Sequence, residues 1–514
     1  MSTRSQTLRN TLFSSVGLYT EYGLGVLTSI IIARDLEPAG YGVYVAIVWL
    51  AGLGIAATNS GTASAAIKFI AELRGAGRHG AIVSLVHYLR RIEFAFYVAL
   101  MAVGGLLFWY DGAAFSGGMD PRLVFALIVV SVGLRAPYMF DIGTLKGFEN
   151  FAATARVAAV ATPCNLLLMM TAWLLHLPVL GFLVAYLLSG VVFRLMVRHE
   201  VTRMLAPLGP GATLPEELRR RIRRHIRIAA GTVTITFLSA RDVEVMFLTR
   251  FASSADAGFY KVAYQLATGA ALLAPGVFGA ILLPLMAKAL SQGSAIAARR
   301  FVASSSYLFL LAAPLIVFGV LFSADVIHVL YGPAFAAAAP VLAVLIVVCC
   351  IGSVGAAGSS LLVSADRQHN ILLVTLAIGA LKLGLDWWLI RLHGLHGAVM
   401  ASAIAGVVGT VSILSLAARS VDTGLDWPRL ARMALAALLA AALAWPLTAL
   451  PPLASLIFGS GVLVLGYAVG TLLLGCWSAA DLDYFATLCD RLPGLSRPLR
   501  RLLAWAGARA RESV

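Results

Sequence analysis

A run of about fourteen apolar stretches constrains this chain more than any other feature, because each approaches the roughly 20 residues a helix needs to cross about 30 Å of hydrocarbon. They fall near residues 11–33, 42–70, 84–109, 122–146, 153–175, 178–197, 228–250, 258–286, 302–323, 336–363, 370–390, 396–418, 431–450 and 454–476. None alternates with the two-residue period of a barrel strand. Backbone groups in lipid must bond within their own segment, so the spans are predicted to be helical. The 514 residues are 60% hydrophobic and only 12% charged, with a mean hydropathy of +0.90. Soluble domains carry about 25% charged residues, and a soluble fold of this length has too little interior to hide so much apolar surface.

Most of the 39 Lys and Arg residues fall in gaps on one side of these spans. Basic residues concentrate on the cytoplasmic side, so the pattern predicts an inner-membrane protein with both termini in the cytoplasm. The net charge of +15 is then a set of basic loops against an anionic leaflet and implies no nucleic-acid partner. The five cysteines, Cys164, Cys349, Cys350, Cys476 and Cys489, have neither disulfide nor zinc spacing. Arg4 and Arg9 precede an apolar run from Thr11 to Ala33 that lacks a small-residue cleavage site, which reads as an uncleaved first span. The outer connections are short, and no extracytoplasmic domain is expected.

The one long break, near 198–227, holds Pro207, Gly209, Pro210 and Gly211, which mark a loop. Thr213 and Glu216 have capping-box spacing, with Pro215 in the first turn. The helix that follows repeats Leu214, Leu218, Ile222 and Ile226 at steps of four, among Arg219, Arg220, Arg221, Arg223, Arg224 and Arg227. This pattern predicts an amphipathic helix lying on the cytoplasmic leaflet, or a charged elbow joining two lobes.

The two sides of that break echo each other. Arg34, Gly42 and Tyr44 recur 216 residues later as Arg250, Gly258 and Tyr260, and at the same offset Gly181, Ala185 and Gly190 match Gly397, Ala401 and Gly406. Six spans separate the copies, so they share topology, as parallel repeats about an axis along the membrane normal do. The expected organisation is an N-terminal lobe (1–197), a basic linker (198–227), a C-terminal lobe (228–420), two further spans (421–477) and a basic tail (478–514).

Several stretches then carry a family resemblance: LEPAGYGVYVAIVWLAGLGIAATNSGTASAAIKFIAE (36–72), SARDVEVMFLTRFASSADAGFYKVAYQLA (239–267), LPLMAKALSQG (283–293), FSADVIHVLYGPAFAAAAPVL (322–342) and GLHGAVMASAIAG (394–406). In order and spacing the chain resembles the polysaccharide-biosynthesis flippases of the multidrug/oligosaccharidyl-lipid/polysaccharide exporter superfamily. The resemblance implies an all-α membrane protein of about fourteen helices, with two six-helix lobes related by a pseudo-two-fold along the membrane normal and two C-terminal helices added. It also implies a polyprenyl-diphosphate-linked glycan as cargo, moved from the cytoplasmic to the periplasmic leaflet, with polysaccharide polymerase and other assembly proteins as partners.

Charges at membrane depth are costly and mark function. They are Glu21, Glu93, Arg135, Asp141, Arg241, Asp242, Glu244, Lys382 and Asp386. Arginine donates two parallel hydrogen bonds to a phosphate, so Arg135, Arg241 and Lys382 are candidate diphosphate contacts. Internal pairing, of Arg241 with Asp242 and of Lys382 with Asp386 at i, i+4, is the competing role. Acids outnumber cations in this set, which suits a coupling H⁺ or Na⁺ at Glu21, Asp242 or Asp386. Asn59, with Ser60, Thr62 and Ser64 beside Gly61, offers sugar contacts or close helix packing. Tyr44 and Tyr260 are expected in the aromatic belt, as are Trp387 and Trp388. No nucleotide loop, catalytic grouping or metal cluster stands out, so no enzyme and no cofactor is expected. The competing readings are a drug or cation antiporter of the same superfamily, a peptidoglycan lipid-precursor flippase and, further off, a membrane polymerase or glycosyltransferase.

Overall fold

The computed structural model describes residues 3–209, 211–240 and 242–477. The side chain of Glu21, the residue Arg241 and the tail 478–514 lie outside the described residues. The described chain is helical: α1 Thr3–Thr58, α2 Thr62–Gly75, α3 Gly80–Asp111, α4 Pro121–Gly147, α5 Phe151–Leu174, α6 Val179–Leu205, α7 Glu216–Ala240, α8 Glu244–Phe251, α9 Ser254–Gln292, α10 Ser294–Tyr331, α11 Ala338–Ser364, α12 Gln368–Ser420, α13 Trp427–Ala444 and α14 Pro452–Leu473. Ten stretches among the described residues are long and apolar enough to cross a membrane, and two of these, Tyr22–Gly75 and Gln368–Ser420, run 54 and 53 residues. At 1.5 Å per residue, each of these two is long enough for a double crossing.

Both long stretches bend where the sequence demands it. In α1, Glu37 leaves the helical region (φ 55°, ψ 175°) just before Pro38; a residue preceding proline is sterically pushed out of the α conformation. In α12 the bend is at Gly394 (φ 53°, ψ −128°), a conformation that glycine adopts without a side-chain clash. Helix starts are capped locally: Asp120 accepts from Arg122 N at 2.9 Å, Asn150 from Ala153 N at 3.0 Å, and Asp426 from Arg429 N at 3.1 Å. Each of these side chains satisfies a donor that the first turn would otherwise orphan.

Two predicted spans are not continuous helices. Span 42–70 breaks between Thr58 and Thr62, where Gly61 takes φ 80°. Span 228–250 breaks between Ala240 and Glu244, where Asp242 has φ 20°. Hydropathy carries straight through both breaks, so periodicity alone does not reveal them.

The chain divides into two units. The first comprises Met1–Val262 and Thr375–Ala401. In it the apolar stripe of α7 is buried with Phe69, Ile70, Ile82, Leu85 and Leu89. This corrects the expectation of a stripe lying on lipid: Leu214, Leu218, Ile222 and Ile226 are covered by α2 and α3. Arg221 clamps the helix to Glu72 through two hydrogen bonds of 2.8 and 3.0 Å. Helix α7 then continues without interruption to Ala240. Gly143 and Gly147 of α4 meet the α2 backbone so closely that an added Cβ would stand 2.9 Å from Ala63 O and from Ala66 O, respectively. Small residues give that approach, as they do between membrane helices generally.

Tyr44 and Tyr260 are 7% and 0% exposed, which corrects their assignment to an aromatic belt. Tyr41 stacks on Tyr44 at 6.5 Å between centroids, and its hydroxyl meets that of Ser29 at 2.7 Å. By contrast Trp387 and Trp388 are exposed.

The second unit comprises Ala263–Val374 and the chain from Ser402 onward. Its helices α13 and α14 pack on α10: Tyr467 donates to Leu310 O at 2.9 Å, Ser455 donates to Asp325 Oδ2 at 2.6 Å, and Phe322 fills the space beside Gly459. Arg429 and Arg432 reach across to the carbonyls of Cys476 and Leu474 at 2.9 and 3.4 Å, placing positive charge just past the C-terminal end of α14, where the helix dipole favours it.

Candidate functional site

Among the described residues of the first unit, four groups hold the charges expected at membrane depth. In the most enclosed of them, Lys382 Nζ lies 2.5 Å from Glu244 Oε1 and 3.3 Å from Asp386 Oδ2. Both acids are fully buried and the lysine side chain is only 12% exposed. The expected i, i+4 pair is therefore present, with Glu244 added from the first turn of α8. One ammonium faces two carboxylates, so the group carries a net negative charge when all three ionise. Its cost in a low-dielectric interior is offset only by close geometry.

The second group has Asp141 at its centre. Its carboxylate is fully buried and takes Arg90 of α3 at 2.7 Å on Oδ1 and Arg194 of α6 on Oδ2. Glu93 is buried one turn along α3 from Arg90, with Oε1 lacking a hydrogen-bond partner. In the third group Asp242, at the break after α7, pairs with Lys261 of α9. Arg90, Arg194 and Lys261 are not among the charges that the sequence singled out at membrane depth. Their pairing removes the surplus of acids that the sequence implied.

The fourth group surrounds Arg135. Its guanidinium lies over the Tyr186 ring at 3.8 Å and donates from Nη2 to Ser189 Oγ at 2.7 Å and Tyr186 O at 3.2 Å. Its buried Nε–H has no hydrogen-bond partner. Asn59, at the α1–α2 break, reaches the α4 backbone: its Nδ2 donates to Ile55 O and to Ala136 O, both at 3.1 Å, while Oδ1 is left without a partner. Gly61 at the same break presses on α7, where an added Cβ would stand 2.8 Å from Ala229 Cβ and 3.0 Å from Ile226 Cα.

Of the site residues expected from sequence, Lys382 and Asp386 come together, Asn59 bonds the α4 backbone at Ala136 while Arg135 turns to α6, and Asp242 stands with Lys261. Glu21 and Arg241 fall outside the described residues. Glu244, Arg90, Arg194 and Tyr186 are the partners that sequence reasoning did not assign; only the i, i+4 spacing of Lys382 and Asp386 signalled any of this pairing.

Apolar helices carrying paired, buried charges and bent at proline and glycine define a multi-pass membrane protein. The chain belongs to the polysaccharide biosynthesis protein family, whose profile matches residues 7–290. Among solved structures it is similar to lipid II flippase MurJ in an inward closed conformation, at 12% identity over 90% of this chain and 98% of that one, with a TM-score of 0.71. A MATE family multidrug resistance transporter of the MOP superfamily, inward-facing, aligns at 15% identity over 78% of this chain and 95% of that one, with a TM-score of 0.62. A MOP superfamily transporter from Pyrococcus furiosus aligns at 14% identity over 82% and 96%, with a TM-score of 0.55. No curated protein sequence matches the chain. At these identities the likeness is one of fold.

Proposed function

We propose that this protein is an inner-membrane flippase that carries a polyprenyl-diphosphate-linked oligosaccharide from the cytoplasmic to the periplasmic leaflet for surface or exopolysaccharide assembly. It does so without enzymatic chemistry, by alternating access of the lobes 1–197 and 228–420, with both termini cytoplasmic. Family membership and a fold like that of a lipid II flippase support a lipid-borne cargo. A peptidoglycan precursor is the second reading, favoured by the same fold likeness.

One observation carries the proposal. Arg135 is a membrane-span guanidinium with no carboxylate partner among the described residues, braced by Tyr186 and Ser189 and with Nε–H unmatched. A diphosphate supplies the missing acceptors and the missing negative charge. Asn59 Oδ1, on the helix break that bonds the α4 backbone, is a free acceptor for a sugar hydroxyl or a water. Lys382 and Arg241 are further cations for the headgroup, while Asp386, Asp242 and Glu21 are candidates for exchanging a coupling H⁺ or Na⁺. Polymerase and other glycan-assembly proteins would receive the product.

The test is reconstitution in vesicles with a fluorescent polyprenyl-diphosphate oligosaccharide. The parent protein should expose the label to an outside quencher, Arg135→Ala should reduce the rate at least tenfold, and Arg135→Lys should restore part of it. Parent-like transport by the alanine variant would remove Arg135 from the reading. Transport of a cationic dye in place of the lipid would favour the antiporter.

A further inference from the structure

A second feature of the first unit stands apart from the buried charges. Between α3 and α7 lies a groove of about 550 Å³ lined by Tyr88, Ile92, Phe96, Arg223, Ile226 and Arg227. Tyr88, Ile92 and Phe96 sit at steps of four, so they form one stripe down a single face of α3. The stripe is about 12 Å long at 1.5 Å per residue. Arg223 and Arg227, also four apart, form the opposite wall on α7, and both are exposed.

The depth of the groove follows from α3. Trp109 and Tyr110 are strongly exposed at its outer end, where aromatic residues mark the membrane–water boundary. Counting back about 20 residues for the hydrocarbon places the inner boundary near Arg91. Tyr88 therefore lies at headgroup level, while Ile92 and Phe96 descend into the acyl region. The basic wall is at the wet end and the apolar stripe runs away from it.

Charge completes the description. Arg223 shares one contact with Glu216 at 2.5 Å. Arg227 and the exposed Arg91 have no acidic partner among the described residues, and neither do Arg220 and Arg224 on the next turns of α7. The groove thus combines surplus positive charge with an apolar slot too small for a long polyprenyl chain and suited to part of one acyl chain.

We propose that this groove is a binding site for an anionic glycerophospholipid of the cytoplasmic leaflet, with the phosphate on Arg223 and Arg227 and an acyl chain along Tyr88, Ile92 and Phe96. The lipid tethers α7 to α3 at the membrane surface. Juxtamembrane arginines attract anionic lipid headgroups and hold them less tightly as salt rises.

Native mass spectrometry of the full-length protein in neutral detergent, titrated with phosphatidylglycerol, tests this. The parent should retain phosphatidylglycerol at least fivefold more strongly than phosphatidylcholine. Arg223→Gln/Arg227→Gln should lose that preference, Arg223→Lys/Arg227→Lys should keep most of it, and Phe96→Ala should weaken both lipids alike. Arg220→Gln/Arg224→Gln, outside the groove, should bind as the parent does. Melting curves in detergent separate lost binding from lost fold. If the glutamine pair is folded and still prefers phosphatidylglycerol, or if the parent shows no preference, the site is refuted. Displacement of phosphatidylglycerol by equimolar polyprenyl phosphate would also refute it, reassigning the groove to the cargo lipid.

Discussion

Gly42 and Gly258 meet backbone to backbone. A Cβ built on Gly42 would stand 1.7 Å from Ser254 O and 3.2 Å from Gly258 N, and one built on Gly258 would stand 2.5 Å from Pro38 O. These are the equivalent glycines of the two sequence repeats, so the motif that identifies the repeat is also its contact. Gly42→Ala should therefore cost about 3 kcal/mol or more, since no flexible side chain can yield to it. Thermal unfolding in detergent should show a large drop in Tm, whereas Gly23→Ala, with open space around its Cβ position, should not. An unchanged Tm for the Gly42 variant would mean that the helices do not approach this closely.

Lys382 is expected to matter to stability through what its absence leaves behind. Lys382→Met takes the ammonium away from the buried carboxylates of Glu244 and Asp386, and removing one side of a buried ion pair costs about 3–5 kcal/mol. Neutralising the acids as well, in Lys382→Met/Glu244→Gln/Asp386→Asn, should recover much of that loss. Melting temperatures of the single and triple variants decide the matter; a triple variant no more stable than the single one would show that the three groups are not coupled.

Tyr186 orients Arg135 without itself offering charge. Tyr186→Leu should remove stacking worth about 0.5–2 kcal/mol, a modest change in Tm. In the vesicle assay it should nonetheless slow transport of the lipid-linked sugar several-fold, because the guanidinium loses its fixed direction. A Tyr186→Phe variant, which keeps the ring, should transport like the parent.

His225 gives a pH dependence at the arginine-bearing end of α7. It meets Ser64 Oγ at 3.0 Å and the edge of Phe69 at 5.8 Å, and burial, with Lys68 nearby, holds its pKa below the usual imidazole value of 6.5. The unfolded chain therefore binds the proton more readily, so this contribution is present above pH 6.5 and is lost as pH falls below it. The parent Tm should drop more between pH 7.5 and 5.5 than that of His225→Gln, by a degree or two because the ring is only partly buried. An equal drop in both would assign the pH dependence elsewhere.

The fold was readable in the sequence wherever one residue type had one use. The apolar runs marked the helices, the gaps between runs at 34–41 and 391–395 hold the bends at Glu37 and Gly394, and the constant offset made Gly42 and Gly258 equivalent positions without saying that they touch. The site was readable only where partners were close in sequence, as Lys382 and Asp386 are. Arg90 and Asp141 stand 51 residues apart, and nothing local to either announces the other. Arginine near a span end reads as a cytoplasmic charge whether it faces water or a buried carboxylate. Tyr44 and Tyr260 failed for a related reason: an amphipathic ring suits a headgroup boundary and a tight helix contact equally well. The breaks at Asn59–Gly61 and at Asp242 interrupt hydrogen bonding without interrupting hydropathy.

Helix α7 is one unbroken rod from Glu216 to Ala240, about 37 Å long at 1.5 Å per residue. Its arginine-bearing end is pinned to Glu72, and its far end stops two residues short of Asp242. A rod held this way works as a crankshaft: a few degrees of tilt at the pinned end swings the other end by some ångströms. Asp242, which grips Lys261, follows that end two residues on, so a push on one tip of the helix is felt by an ion pair at the other.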